Sequence, residues 1–321
     1  MGELLIDFVS LDARVNLSEA TRFGKKPGGA PANVACGLSR LGRSSAFLGK
    51  VGDDPFGDFL EDTLRSQGVS TRFLGRTDRA RTTLAFVAVG PGGVPDFTFY
   101  RHPGADMLLD EDDVSEDLFQ DCLAFHFGSI SLIDSSPRKA TYRALRAAEE
   151  KSLLISYDPN LRLSLWPDPE TAHRRIREPL GRAHVVKISQ EEWDLVTGHR
   201  DFEAGAEWCL SQGVRLVVQS MGPAGCRYAH VKGIGQLSGY SVSVQETTGA
   251  GDAFVAAMIH QLLGALEEPS DIVSLSQEKI RSLLDRANRA GAITCTGIGA
   301  IPSMPTWDQI EEFDQGRSEL S

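Results

Sequence analysis

The chain has 321 residues, of which 41% are hydrophobic and 24% are charged. These fractions are typical of globular proteins and exclude a disordered, collagen-like or coiled-coil chain. Lys and Arg total 33 against 44 Asp and Glu, and the resulting net charge of −11 disfavours nucleic acid and anionic membranes as partners.

Cysteine usage and the N-terminal residues predict a cytoplasmic location. The five cysteines show no CxxC pair and no metal-ligand spacing, so we expect free thiols in a reducing compartment. The stretch Met1–Phe8 lacks a basic segment and has an acid inside its apolar run, unlike a signal peptide. The longest uncharged stretches, Ala253–Leu266 and Ala290–Trp307, are too short or too interrupted by Gly and Pro to cross a membrane.

Short apolar runs alternate with longer amphipathic stretches along most of the chain. The predicted strands are Ala46–Val51, Leu84–Val89, Phe97–Arg101, Leu123–Phe127, Leu153–Tyr157, Val185–Ser189, Leu216–Gln219 and Tyr240–Val244. The predicted helices are Pro137–Lys151, Pro169–Arg182, Phe202–Gln212, Gly249–Leu266 and Gln277–Thr296. This alternation predicts a single α/β domain over residues 1–321, with a mostly parallel central sheet and helices on both faces.

Two regions, about 8–25 and 70–102, contain successive strand-like runs without helices. In the second, two such runs flank Gly90-Pro91-Gly92-Gly93, which predicts a hairpin turn. We expect a small β lid over the carboxyl edge of the sheet, where open α/β sheets bind ligands. An apolar face on the lid would suit either a homodimer contact or a cover over the ligand. Its predicted members are Phe86, Val87, Phe97 and Phe99.

A late glycine-rich segment, Glu246-Thr247-Thr248-Gly249-Ala250-Gly251-Asp252, leads into the apolar run Val255–Leu266. Small residues let the backbone N–H groups face a ligand, and a helix start adds the positive end of its dipole. The segment therefore predicts an anion site. Asp252 fits either a helix-terminal charge or a general base that helps a hydroxyl attack a phosphoryl group.

An early glycine-rich segment, Pro27–Leu38, also opens a helix. Its adjacent glycines allow a ligand to approach the backbone closely, and Asn33 can both donate and accept hydrogen bonds. A tight turn before a buried helix, with Asn33 as a local cap, explains the same residues. Neither segment is a Walker A motif or a dinucleotide fingerprint, so phosphate handling here would use another architecture.

Together the two segments resemble the signatures of the ribokinase-like (PfkB) carbohydrate kinases. The signatures are Gly28-Gly29-Ala30-Pro31-Ala32-Asn33 and Thr247-Thr248-Gly249-Ala250-Gly251-Asp252. The resemblance covers essentially the whole chain and implies a ribokinase-like fold, because further segments agree in order with the family's first strand and with its fructokinase branch. These segments are Gly2–Asp7, Tyr100–Leu109, Asp158–Arg162 and Lys187–Gly198.

The resemblance implies a role for each matching position. Asp252 matches the catalytic base, and Gly249, Ala250 and Gly251 match the anion hole. The implied sugar-binding residues are Asp7, Gly28, Gly29, Asn33 and Arg162. The implied nucleotide-binding residues are Ser189, Ser220, Gly222, Gly225 and Asn288. Glu192 matches a glutamate that orders Mg²⁺ through water. A monovalent cation such as K⁺ is implied at Glu246, Thr248, Gly299 and Ser303.

Some positions depart from the family pattern. Position 246 is Glu where the family usually has Asp, and position 189 is Ser where the magnesium motif has Asn. The chain begins almost at the first motif, which predicts either a shortened first strand or a natural start further upstream. Arg101 fits two interpretations, a contact with the sugar or an exposed salt bridge.

The resemblance implies an ATP-dependent fructokinase that yields fructose 6-phosphate and ADP, with Mg²⁺ as cofactor. Two alternatives stay open. One is a kinase of another sugar or of a nucleoside such as aminoimidazole riboside, since that branch shares the segment from His102 to Asp106. The other, from a different class, is a non-catalytic sugar-binding regulator, which predicts loss of the base or the anion hole. Both of these features are present in this sequence.

Overall fold

The computed structural model describes residues 1–90 and 95–313. The strands in chain order are β1 (Leu5–Ser10), β2 (Phe23–Gly28), β3 (Ser45–Ala46), β4 (Gly49–Gly52), β5 (Val69–Ser70), β6 (Leu74–Thr77), β7 (Leu84–Val89), β8 (Pro95–Tyr100), β9 (Ala124–Phe127), β10 (Leu154–Tyr157), β11 (Val185–Ser189), β12 (Leu216–Ser220), β13 (Cys226–His230) and β14 (Gly233–Leu237). The helices are α1 (Ala30–Arg40), α2 (Pro55–Ser66), α3 (Ser135–Glu150), α4 (Pro169–Arg177), α5 (Trp193–Thr197), α6 (Phe202–Ser211), α7 (Ala250–Ala265), α8 (Gln277–Thr294), α9 (Ala300–Ser303) and α10 (Trp307–Glu311).

The larger sheet has the strand order β14-β13-β12-β11-β10-β9. Strands β9 to β12 run parallel, and β13 and β14 are antiparallel. Alternate side chains of these strands enter two separate cores: Ile155 and Val186 pack with α3, α4 and α6, whereas Leu154 and Val185 pack with α7 and α8. Because both faces are covered, the strands are apolar on both sides. The predicted mostly parallel sheet with helices on both faces is confirmed.

The second sheet has the order β2-β1-β7-β8, with β1 and β7 parallel and the other pairs antiparallel. The predicted pairing on either side of the turn is confirmed, since Val89 lies opposite Pro95. Residues 91–93 of the predicted turn lie outside the described residues. The remaining strands of the predicted region 70–102, β5 and β6, pair with β3 and β4 instead. The first strand, β1, has six residues.

The predicted apolar face of the lid is wrong in one respect. Phe86 and Val87 are neighbours on β7, and successive side chains of a strand point to opposite faces. The Phe86 ring packs against the rings of Phe8 and Tyr100, with centroid distances of 5.1 and 5.4 Å. Val87 lies opposite Phe97, which is 43% exposed. The aromatic cluster and the exposed Phe97 therefore belong to different faces of this sheet.

The hairpin of β13 and β14 was not predicted, and the predicted strand Tyr240–Val244 is absent. The missed strand β14 contains Gly233 and Gly235, and glycine is a poor indicator of strands. Gly235 lies opposite Tyr228, and a Cβ at this position would overlap the Tyr228 ring. The glycine thus makes room for a cross-strand aromatic ring, which is a packing requirement that periodicity does not reveal.

Two predicted elements have different bounds in the structure. The predicted strand Ala46–Val51 is interrupted, so that its ends fall in β3 and β4. The predicted helix Pro169–Arg182 ends at Arg177, because Pro179 has no N–H to continue the hydrogen-bond pattern of the helix. Within residues 1–90 and 95–313, no helix has the length and apolarity needed to span a bilayer.

Candidate active site

The late glycine segment forms the start of α7. Gly249 has φ +83°, and a Cβ there would lie 2.5 Å from the Ala300 Cβ on α9. A side chain is therefore excluded both by the backbone conformation and by the packing of α9. The helix that follows is almost entirely buried from Ala253 to Ile259. Its apolar side chains anchor it in the core, so its N-terminus and Asp252 are held at a fixed position.

Asp252 joins the late segment to the early one. Its Oδ2 accepts a hydrogen bond from Asn33 Nδ2 at 2.8 Å, and Asp252 is only 8% exposed. Burial raises the pKa of Asp252, whereas the bond from Asn33 and the positive charges of Lys187 and Arg162 lower it. The carboxylate thus lies in a shielded position with cationic neighbours, which suits a group that must accept a proton.

The early segment is shaped by two carboxylates near the start of the chain. A Cβ at Gly28 would overlap the Asp7 carboxylate, and one at Gly29, which has φ +113°, would overlap the carbonyl of Glu3. Burial raises the pKa of Asp7 to about 6, and the Arg162 charge opposes this. Glu3, which the sequence did not single out, accepts a hydrogen bond from Ala30 N at 3.0 Å and holds the start of α1.

Arg162 follows the end of β10, within the segment Asp158–Arg162. The carboxylate of Asp158 accepts a hydrogen bond from Asn160 N at 3.1 Å, and Asn160 has φ +40°, so the chain turns sharply here. The Arg162 charge lowers the pKa of both Asp7 and Asp252. The Arg162 charge therefore acts on both the predicted sugar-binding carboxylate and the predicted base.

A buried lysine that the sequence did not predict lies beneath the predicted anion hole. Lys187 Nζ, on β11, bonds Asp158 Oδ2 at 3.1 Å, and a Cβ at Gly251 would lie 3.2 Å from Nζ. Lys187 is 7% exposed. Burial by itself lowers the pKa of Lys187, but the negative charges of Asp158 and Glu192 raise it above the ordinary value. A permanent positive charge is thus fixed directly behind the glycine loop.

Ser189 and Glu192 form a reciprocal cap at the end of β11. Ser189 N donates to Glu192 Oε2 at 3.0 Å, and Glu192 N donates to Ser189 Oγ at 3.3 Å. The other oxygen of Glu192 accepts a hydrogen bond from Leu161 N. The carboxylate is therefore oriented at the carboxyl edge of the sheet. Each of its oxygens keeps a lone pair for a further donor such as water.

The predicted nucleotide-binding residues lie at one edge of the larger sheet. Ser189 and Ser220 are paired at the ends of β11 and β12. Gly222 and Gly225, both with positive φ, form the turn into β13. Asn288 on α8 contacts Cys226 on β13, with Nδ2 3.6 Å from Sγ. The structure thus brings these residues to the carboxyl ends of the parallel strands, where α/β sheets bind ligands.

The residues predicted to hold a monovalent cation are largely together. Glu246 Oε2 accepts a hydrogen bond from Gly299 N at 2.8 Å, and the Thr248 side chain also bonds this carboxylate. The same oxygen lies 2.8 Å from Lys26 Nζ. Ser303 lies beside Gly297. Lys26 is a residue that the sequence did not single out.

Of the two interpretations offered by the sequence for Arg101, the structure contradicts the exposed salt bridge, and a contact with the sugar stays a prediction. It is 3% exposed and bonds Asp106 Oδ2 at 2.7 Å and Asp134 Oδ2 at 3.2 Å. An exposed salt bridge is therefore wrong, because the guanidinium is buried and its partner Asp106 is buried too, while the Asp134 side chain is partly exposed. Nowhere in the described part of the chain do three or more His, Cys, Asp or Glu side chains gather around one metal position.

Comparisons with known proteins identify the family of this chain. Residues 1–307 match the model of the pfkB family carbohydrate kinases. The chain belongs to this family. Probable fructokinase-7 of Arabidopsis thaliana is 45% identical over 316 residues, covering 97% of this chain and 90% of the relative.

Solved structures of family members agree over nearly the whole chain. The fructokinase of Xylella fastidiosa with bound ATP has a TM-score of 0.89 at 33% identity, covering 97% of this chain and 95% of that one. A double mutant of the Vibrio cholerae O395 fructokinase, in a form that binds fructose, ADP and potassium ion, has a TM-score of 0.86 at 32% identity, with coverage of 97% and 96%. The aminoimidazole riboside kinase of Salmonella enterica has a TM-score of 0.80 at 27% identity, with coverage of 97% for both chains. The ribokinase-like fold and a carbohydrate kinase activity are thereby confirmed.

Proposed function

We propose that this kinase transfers the γ-phosphoryl group of ATP to fructose and releases fructose 6-phosphate and ADP. The observation that supports the proposal most strongly is the hydrogen bond between Asn33 and Asp252, which joins the predicted sugar loop to the predicted base. The similarity to fructokinases supports fructose over aminoimidazole riboside, since the riboside kinase is less similar in both sequence and structure.

In the proposed reaction, Asp252 accepts the proton of the C6 hydroxyl as its oxygen attacks the γ-phosphorus. The bond between this phosphorus and the bridging oxygen of ADP breaks, and the electron pair leaves with ADP. Phosphoryl transfer depends mainly on positioning and charge stabilisation. The amides at Gly249–Gly251 and the Lys187 charge behind them supply that stabilisation for the transferred oxygens.

The residues at the carboxyl edge of the larger sheet are suited to binding Mg²⁺ through its coordinated water molecules. Glu192 is nearly buried, is oriented by three backbone and side-chain contacts, and keeps lone pairs directed away from its cap. Mg²⁺ usually retains several waters and binds nucleotide phosphates with one or two carboxylates. Bound there, it would neutralise phosphate charge. Glu192 would hold one of its waters, and Ser189, Ser220, Gly222, Gly225 and Asn288 would position the nucleotide.

The substrate proposal is tested by ADP release with a panel of acceptors. We expect kcat/KM to be highest with fructose, compared with glucose, ribose, adenosine and aminoimidazole riboside, because specificity reflects differential stabilisation of the transition state. A preference for the riboside would keep the fold and overturn the substrate. ATP binding without turnover of any acceptor would favour the non-catalytic alternative.

The pKa of Asp7 predicts how sugar affinity depends on pH. Its carboxyl, with a pKa of about 6, is ionised above that pH and accepts hydrogen bonds from sugar hydroxyls. We therefore expect KM for fructose to rise as the pH falls from 7 to 5. In the Asp7→Asn variant, KM should be higher than in the wild type at pH 7 and independent of pH. A wild-type KM that stays constant over this range would contradict the assignment.

The same shift has an opposite effect on stability. Because folding raises the pKa of Asp7 above its ordinary value, its contribution to stability is present at low pH and is lost as the pH rises through about 6. Asp7→Asn should thus raise Tm at pH 8 more than at pH 5.

Dimerisation through the lid and a cytoplasmic location stay predictions. One relative, from Arabidopsis thaliana, is named chloroplastic.

A further inference from the structure

Lys26 lies on β2, directly before the early glycine segment, and its side chain reaches across to the late one. Its Nζ is 2.8 Å from Glu246 Oε2, and the two side chains are 25% and 21% exposed. The lysine stem runs along Gly299, since a Cβ there would lie 3.9 Å from Lys26 Cδ. The ammonium therefore meets Glu246 at the point where Gly299 N also donates to the carboxylate.

This arrangement does not fit a potassium ion at the predicted cation residues. Three of the four, Glu246, Thr248 and Gly299, meet at the Glu246 carboxylate, which already carries a positive partner. A metal ion bound to that carboxylate would lie beside the ammonium, and like charges at such a separation repel each other. The Glu246 carboxylate carries a single negative charge, and the Lys26 ammonium alone balances it. A potassium ion bound beside the ammonium would therefore have no carboxylate to neutralise.

The side-chain lengths fit the lysine. Glu246 stands where the family usually has Asp, and its additional methylene extends the carboxylate further from the backbone of the loop. The Glu246 carboxylate accepts hydrogen bonds from both Lys26 Nζ and Gly299 N, each at 2.8 Å. Both donors are satisfied at this carboxylate, and the flexible four-carbon stem of Lys26 supplies a compact positive charge to it.

We infer that the Lys26 ammonium takes the place of the monovalent cation beside the anion-hole loop, so that this kinase needs no potassium. The inference deepens the proposed function and rests on it, because the loop ordered by Glu246 leads to Gly249 and Asp252. Since Lys26 precedes Gly28 by two residues, the same ion pair also connects the sugar loop to the anion-hole loop.

The test compares the wild type with Lys26→Met at constant ionic strength, with tetramethylammonium replaced stepwise by potassium. We expect wild-type turnover with fructose to be unchanged by potassium. Lys26→Met should lose turnover without potassium and regain it on addition, by roughly 5–150-fold, the usual range for coupling between two sites. Sodium in place of potassium separates a specific ion from a general salt effect.

Lys25→Met is the matched control, because Lys25 is the adjacent lysine on β2 and its Nζ lies over the Phe59 ring at 3.7 Å instead. The turnover of Lys25→Met should be unchanged by potassium, as expected for the wild type. A second readout is Tm, which potassium should raise for Lys26→Met and leave unchanged for the wild type, because an ion that binds only the folded state stabilises it. Lys26→Gln replaces Lys26→Met if the latter does not fold.

Activation of the wild type by potassium would overturn the inference, as would a Lys26→Met variant whose turnover and Tm both ignore potassium. A failure of the proposed function would give a different experimental result. In that case no acceptor is phosphorylated, while the Tm responses of the wild type and Lys26→Met still decide between an ammonium and a metal ion beside Glu246.

Discussion

Replacing Asp252 with Asn is expected to lower kcat by about 10²–10⁴-fold, the range that a positioned general base contributes. Asn keeps the size of the side chain and an oxygen that can accept the hydrogen bond from Asn33, so α7 should still begin at the same place. The amide cannot take up a proton from the sugar hydroxyl. KM for fructose and the affinity for ATP should change little. Steady-state kinetics with fructose and direct measurement of nucleotide binding check these expectations.

Asp58→Asn is the control for this variant, because Asp58 also lies in the first turn of a helix, α2, but is exposed and outside the site. It should retain wild-type turnover. An Asp252→Asn enzyme with wild-type turnover would remove the residue from the mechanism. Equal losses in kcat and in ATP affinity would instead indicate that Asp252 mainly supports the structure of the loop.

Replacing Lys187 with Met is expected to damage both stability and turnover. It leaves Asp158 as an unpaired buried carboxylate, and removing one partner of a buried ion pair costs about 3–5 kcal/mol of unfolding free energy. It also removes the positive charge behind Gly251, and loss of one electrostatic contact to the transition state lowers kcat by roughly 10²–10³-fold. Denaturant unfolding and steady-state kinetics measure the two effects separately.

The double variant Lys187→Met/Asp158→Asn separates the structural role of Lys187 from its role in turnover. It removes both charges, so most of the lost stability should return while kcat stays low. Recovery of both would show that Lys187 only balances Asp158. Burial raises the pKa of Asp158 to about 6 even with Lys187 present. The instability of the single variant should therefore grow as the pH rises from 5 to 8, where the unpaired carboxyl must ionise.

The parts of the fold that the sequence predicts are those with a local cause. Strands such as Leu154–Tyr157 are fully buried and mostly apolar because helices cover both of their faces. The strand Gly233–Leu237 has a non-local cause, since Gly235 is required by a ring on the neighbouring strand. The end of α4 does have a local signal, which is Pro179. The predicted helix extended past this proline because the amphipathic pattern continues beyond it.

The residues of the candidate site also divide into those with a local sequence signal and those without one. Gly249 and Gly29 are predictable because a positive φ or a close contact selects glycine wherever it occurs. Lys187 and Lys26 are not, because each acquires its importance from a partner far away in the chain. Lys26 and Glu246 are separated by 220 positions, and Lys187 and Asp158 by 29. A single lysine in a strand pattern carries no signal that distinguishes a buried ion pair from a surface charge.

The contact of Gly249 with Ala300 has a consequence for synthesis of the protein. The wall against which the anion hole rests belongs to α9, close to the C-terminal end of the described residues, whereas Asn33 lies near the beginning of the chain. Because α9 follows α7 in the chain, the packing of Ala300 against Gly249 can form only once α9 has left the ribosome. We therefore expect the predicted phosphoryl-transfer site to be completed only after α9 has been translated.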